Sequence, residues 1–273
     1  MVRSLWTGAT GMIAQQLNVD NIAHNLSNVN TTGYKSEAME FKSLLYQTIQ
    51  TKSTTANMEQ KPIGAEVGLG VRNSSITSIF TQGSLLETPG EANFAIAGNG
   101  FFAVKGADGE TTYYTRNGNF EFAIGSEGLI LTTSDGLPVL DTEGESIIIE
   151  DEDVVVSKIQ VSRDGTLMYP DDNNVLQSMD MTIGLWQFNN PGGLSKEGDS
   201  LFIETDASGE AMNEAENDEL PKSKIIQGYL EGSNVQVADE MVNLIVAQRA
   251  YEMNSKVITT SDEMLQQANQ LKR

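Results

Sequence analysis

Leu5, Met12, Val19 and Leu26 recur every seven residues near the N-terminus, with Val2, Ala9, Gln16 and Ala23 on companion positions four residues further on. The same beat returns at the other end. There Val237, Leu244, Tyr251, Ile258 and Leu265 form one ridge, and Ala250, Val257, Met264 and Leu271 form a neighbouring one. An apolar repeat of this period belongs to helices that pair along a seam, so the chain is constrained to carry a long helix at each end. The C-terminal helix is expected to begin near "GSNVQ", where Ser233 and Gln236 have capping-box spacing, and to run nearly to the end. At about 1.5 Å per residue that is roughly 50 Å of helix.

The N-terminal helix is weak by itself. Gly8 and Gly11 each cost on the order of 1 kcal/mol relative to alanine, and Ala9, Gln16 and Ala23 put small and polar groups on its seam. Such a helix is marginal without a partner. Along the flank of the C-terminal ridge lie Gln248, Ser255 and Asp262, a mixed surface that suits contacts with several subunits better than one apolar core. Periodicity taken alone fits two amphipathic helices on a common core. The glycines and the polar flank point instead to segments that order on assembly.

Between the ends the punctuation changes. Apolar and aromatic runs such as "FFAV", "TTYYT", "FEFAI", "LILTT" and "SIIIE" alternate with turn signals at Asn117-Gly118, Asp135-Gly136, Glu143-Gly144 and Asp164-Gly165. Their spacing predicts a meander of short antiparallel strands. The polar stretch Thr51 to Asn57 reads as a loop, as do Asn189 to Gly198 and the acidic Asp206 to Glu219. The expected fold is therefore mixed α and β: long terminal helices with an all-β middle domain inserted between them. The boundaries are 1–35 for the first helix and its stop, 36–95 for a linker with a polar loop and an extended segment, 96–227 for the β domain, and 228–273 for the last helix.

Charge narrows the class of partner. The chain has 17 Lys and Arg against 38 Asp and Glu, which argues against nucleic acid or an anionic membrane surface. Between Asp141 and Leu220, 20 acidic residues face only Lys158, Arg163 and Lys196, a net −17 out of the total −21. An acidic middle with nearly neutral ends suggests a solvated outer domain and ends reserved for packing. No run is long enough to span a membrane, and the first residues lack the continuous apolar stretch of a cleavable secretory signal.

No chemistry emerges. With no cysteine, thiolate sites and disulfides are excluded. His24, the one histidine, has no nucleophile or ligand cluster beside it in the sequence, and the acidic run Glu150 to Asp153 lacks the alternating ligands and central glycine of a calcium loop. "GLG" at 68–70 and "GNG" at 98–100 lack the third glycine and following helix of a phosphate loop. The expectation is no catalytic residue, no metal and no cofactor. A secreted hydrolase, a sugar-binding β protein or an adhesin with helical ends would need a concave polar site that the sequence does not announce.

"NVDNIAHNLSNVNTTGYK" at 18–35 closely resembles the N-terminal signature of the flagellar axial proteins, the family of bacterial rod and hook subunits. "GYLEGSNVQVADEMVNLIVAQRAYEMNSKVITTSDEMLQQ" at 228–267 resembles that family's C-terminal signature, and "GNGFFAV" and "YTRNGNF" fall between them in the same order. Within the family, length and the order of "MVRSLWTGATGM", "FKSLLYQTIQ" and "IGAEVGLGV" are most similar to distal rod members, with proximal rod and hook subunits as alternatives. The resemblance implies a structural protein exported unfolded by the flagellar type III apparatus without a cleaved signal. It implies assembly into a helical homopolymer that spans the periplasm, with other rod proteins and the hook protein at its ends and bushing rings around it. Leu5, Met12, Val19, Leu26, Val237, Leu244, Tyr251, Ile258 and Leu265 are the expected packing residues of its coiled-coil-like inner layer. Asn28, Asn30, Thr31 and Thr32 can satisfy groups at the end of the first helix, and Gly33 can take a positive φ there. The resemblance places that stop at the joint between inner helices and outer β wall.

Overall fold

The computed structural model describes residues 2–50, 65–125, 128–150, 154–171, 175–217 and 220–271. The polar stretch Thr51 to Asn57 lies outside the described residues, as do Asp151, Glu152 and Asp153 of the acidic run. Helix α1 spans Val2–Ser27 and helix α2 spans Val237–Gln270, with the β-rich sequence between them. The 34 residues of α2 make about 51 Å of helix. Its start corrects the capping-box expectation. Gln236 is the N-cap and makes no side-chain capping bond, while the Ser233 hydroxyl accepts from the Val235 N–H instead.

The chain divides into two compact units. One holds α1, α2 and residues 37–77. In it strand Glu37–Ser43 pairs with Val71–Ser78, and Tyr46–Gln50 pairs antiparallel with Ala65–Gly68. The other comprises Asn28–Ser36 and Ser78–Val235 and contains the remaining strands.

The β unit is built around a six-stranded antiparallel sheet. Its order is Ser195–Gly198, Leu201–Ile203, Thr112–Thr115, Phe101–Lys105, Leu185–Gln187 and Met212–Asn213. Phe101–Lys105 lies inside this sheet and is buried on both faces, which explains why "FFAV" is a continuous apolar run. Alternate side chains point to opposite faces. Phe102 and Val104 join Phe94, Ile96, Phe120, Leu131 and Ile183 in the larger core. Phe101 and Ala103 join Tyr114, Trp186, Phe188 and Phe202 in a second, aromatic core. Its rings meet edge to face, with Tyr114 and Phe188 centroids 4.9 Å apart.

The meander expectation holds for Phe120–Ile149 and Gln160–Thr182, where consecutive strands pair. In the six-stranded sheet it holds where Phe101–Lys105 pairs with Thr112–Thr115 and Ser195–Gly198 with Leu201–Ile203, and fails for the other three pairings, which join strands distant in sequence. Turn residues report hairpins, and long-range pairing leaves no local mark. Two stretches expected as loops supply the sheet's edges: Ser195–Gly198 falls within Asn189 to Gly198, and Met212–Asn213 within Asp206 to Glu219. Edge strands need few apolar side chains and are often charged, so their composition reads as loop. Asn117-Gly118 is likewise no hairpin turn. A Cβ on Gly118 would land on the Phe94 carbonyl oxygen, so this glycine allows two backbones to cross closely.

Burial pushes the Tyr114 phenol up to about 12 from its ordinary 10.0, and the charge of Glu204 adds to the rise. The folded state then holds a proton that the unfolded chain releases near pH 10, so Tyr114 contributes stability that is lost as pH rises through this window. Urea midpoints measured between pH 9 and 12 should fall through this range, and the part owed to Tyr114 should vanish in Tyr114→Phe.

Candidate functional site

Two arrangements stand out: the seam between the helices of one unit, and the buried ions where the chain leaves the other. In the helical unit α1 and α2 run antiparallel. The Ser4 and Ser261 hydroxyls lie 3.0 Å apart, Gly8 meets Ile258, Gly11 meets Asn254, and the Asn25 amide donates to Glu240 Oε1 at 3.1 Å. A Cβ on Gly8 would sit 3.0 Å from Ile258 Cγ1, and one on Gly11 2.7 Å from Asn254 Nδ2. The glycines that weaken α1 by propensity thus let the two backbones approach. Ala14, Ile22, Ala247 and Ser261 complete the buried centre of the seam.

Asn25 is a three-way tie. Its amide also donates to the Glu37 carbonyl at 2.9 Å, and its Oδ1 accepts the Glu37 N–H at 2.9 Å. Asn21, one turn earlier, donates to the same Glu37 carbonyl. The first strand is thereby pinned to α1, and α1 to the start of α2.

The packing residues expected from the seven-residue beat lie beside this centre. Leu5, Met12, Val19, Leu26, Leu244, Ile258 and Leu265 are half-buried, while Val237 and Tyr251 are exposed. Val19 and Tyr251 share a groove of about 400 Å³ with Gln16, Gln248 and Glu252. Further apolar side chains on the outward faces meet water in the single chain. Trp6 is 68% exposed and Val246 62%, with Ile13, Met241, Val242, Ile245 and Met253 also open.

The joint residues fall in the β unit. Thr31 donates its N–H to the Asn28 carbonyl and its hydroxyl to Asn28 Oδ1, while Asn30 is exposed. Gly33 has φ +70°, and a Cβ there would lie 2.6 Å from the Asn117 nitrogen, so both conformation and space call for glycine. Its N–H donates to the Glu231 carbonyl at 2.8 Å.

Lys35, two residues on, is buried. Its ammonium lies 2.6 Å from Glu231 Oε1 and donates to the Thr81 carbonyl at 2.9 Å. Arg116 reaches Glu231 Oε2 at 3.3 Å, donates to the Gly98 carbonyl at 2.8 Å and stacks over the Phe101 ring. Glu231 Oε1 also accepts the Gly83 N–H at 2.9 Å. Burial pushes both cations down from their ordinary values. The Glu231 charge and hydrogen bonds oppose that shift at each, and Arg116 reinforces it at Lys35.

Among the described residues no group of three or more His, Asp or Glu could hold a metal ion, and no helix is long and apolar enough to cross a membrane. Known families match along the chain. Residues 5–35 match the flagella basal body rod protein family, 95–169 the D1 domain of the flagellar hook protein FlgE/F/G, and 226–271 the C-terminal region of flagellar basal body rod FlgEFG proteins. The chain is 43% identical over 274 residues to the flagellar basal-body rod protein FlgG of Borreliella burgdorferi, covering all of both chains. It belongs to the flagellar basal-body rod protein family.

The namesake of Agrobacterium fabrum is 43% identical, covering 96% of this chain and 97% of that one, and the one of Bacillus subtilis is 36% identical over the full length of both. Membership makes this a structural protein of the bacterial flagellar basal body. Within the rod-protein match, Lys35 is the last residue, Arg116 falls in the hook D1 match, and Glu231 lies near the start of the C-terminal match. The buried ions therefore join all three matched segments.

Sequence reasoning missed Lys35, Arg116, Asn21 and Asn25, whose types are ordinary at surfaces. The one available signal was their place inside the signature stretches. Removing one partner of a buried ion pair costs about 3–5 kcal/mol. Glu231→Ala, which strands two buried cations, should lower the unfolding free energy of the β unit by about that amount in urea titrations followed by tryptophan fluorescence.

Proposed function

We propose that this protein is the subunit of the flagellar distal rod, polymerising into a helical tube that transmits torque from the motor to the hook. The observation that carries this reading is the apolar surface left open on α1 and α2. Exposed patches of this kind mark protein contact sites, and Trp6, Ile13, Val242, Ile245 and Val246 stay exposed among the described residues. Contacts between unlike patches on successive copies do not close, and so build a filament. Leu5, Met12, Val19, Leu26, Leu244, Ile258 and Leu265 serve the pairing of α1 with α2 and its immediate border, while Val237 and Tyr251 face neighbouring copies.

In this reading α1 and α2 belong to a coiled-coil-like inner layer and the β unit of Asn28–Ser36 and Ser78–Val235 to the outer wall, so the boundaries expected at residues 35, 95 and 228 move to those of the two units. Asn28, Asn30, Thr31 and Gly33 make the joint where the chain passes outward. The partners are further copies of this chain, other rod proteins and the hook protein at the ends, and the bushing rings around the tube. The role is mechanical rather than enzymatic, and the rod spans the periplasm. Full-length similarity to proteins named FlgG favours the distal rod over a proximal rod or hook subunit.

The Val242→Asp/Val246→Asp double variant tests it. Both positions are exposed in the single chain, so its near-UV circular dichroism should stay that of the wild type. Cells carrying it in place of the natural protein should be non-motile, with no distal rod in purified basal bodies. Normal rods from the double variant would contradict the proposal.

A further inference from the structure

The backbone passes between the two units after residues 27, 36, 77 and 235. Three of these crossings leave the β unit from segments that hold one another. The Ser36 N–H donates to Asn234 Oδ1 at 2.7 Å. The Asn234 amide donates to the Ile79 carbonyl at 2.8 Å, to the Thr81 hydroxyl at 2.9 Å and to the Thr81 carbonyl at 3.3 Å. Ser36 in turn accepts the Ile79 N–H at 2.8 Å. One side chain therefore links the three segments within a few residues of where each departs.

Glu231 repeats the link one step inward. It ties Gly33 and Lys35 of the first segment to Gly83 of the second, while the Gly232 N–H donates to the Ser84 carbonyl. Regular strand pairing stops at this level. Tyr229–Glu231 is paired to Leu85–Glu87 through three register positions, and beyond Glu231 the links are those of Gly232 and Asn234 among the described residues.

We infer that Asn234 and Glu231 form a force-sharing clamp, in which tension arriving through α2 at residue 235 is divided among the segments leading to residues 36 and 77. A short strand held at one edge opens from its end, one pair at a time. A side chain bonded to both neighbours ahead of that end forces the three segments to yield together. Asn234 suits this role because its planar amide offers an acceptor and two donors at fixed angles, enough to hold both neighbours at once. Glu231 suits it because its carboxylate bonds are charge-assisted and shielded from water. The clamp matters to the cell only if torque passes through the chain, so its use rests on the rod proposal.

Optical-tweezers pulling on the full-length chain tests the inference. The natural sequence has no cysteine, so handles introduced as Asp108→Cys, Glu143→Cys and Gln266→Cys attach at known places. Pulling between residues 108 and 266 draws on the crossing at 235, whereas pulling between 108 and 143 loads the β unit alone. Asn234→Ala should add an early extension of about 25 Å on the first axis, the length of residues 229–235 stripped from their neighbours, and should lower the force of first rupture. On the second axis its unfolding force should equal the wild type's. Thr81→Val, which deletes one acceptor, should lower the first-axis force by less and leave the second axis unchanged.

Equal weakening on both axes would show a plain loss of stability, and no change on either axis would show that Asn234 carries no tension. Either result overturns the clamp. Because the measurement reads the unassembled chain, it stands apart from the assembly phenotype that tests the rod proposal.

Discussion

The structure of the β unit depends on one buried carboxylate. Glu231 shares its single negative charge between Lys35 and Arg116, two cations that burial would otherwise make costly, and it accepts a backbone N–H from Gly83 as well. Its partners come from residues 35, 83 and 116, so one side chain fixes the start of the unit, its first strands and its last strand in a common frame. Apolar packing could not do this with the same selectivity, because a hydrophobic contact tolerates sliding while a bonded ion pair specifies position.

The helical unit follows a different logic. Apart from Ile22 and Ile258, its seam is made of small and polar groups at Gly8, Gly11, Ala14, Asn25, Ala247 and Ser261, which permit close approach and fix register but bury little area. Larger apolar residues such as Trp6, Ile13, Ile245 and Val246 point away from it. A chain folded for its own stability would place these the other way round. Here the larger apolar side chains stay exposed in the single chain, on the outward faces of the paired α1 and α2. The β unit, by contrast, has two apolar cores of its own.

The two helices and the β middle were legible in the sequence because periodicity is a local property, and the signature stretches at 18–35 and 228–267 named the family. The seam's centre was not. Gly8 and Gly11 read as weaknesses when the partner backbone is unknown, although the same lack of a side chain is what admits Ile258 and Asn254. Lys35 and Arg116 look like surface residues until Glu231, far away in the chain, is brought to them. The edge strands Ser195–Gly198 and Met212–Asn213 read as loops because an edge needs little apolar sequence and its pairing is set by backbone geometry. Local patterns thus disclosed the elements, while the contacts that fix how each unit is put together were non-local and stayed hidden.

The central claim is that the β unit is complete in the single chain while the helical unit is completed by assembly. Amide hydrogen exchange, compared between the free full-length chain and assembled rods, tests it directly. The amides of Phe101–Lys105 and of Gly33 and Gly83 should be strongly protected in both states, whereas those of α1 and α2 should exchange fast in the free chain and slowly in the rod. Helices as protected in the free chain as the β core, or equally unprotected in the rod, would contradict the account.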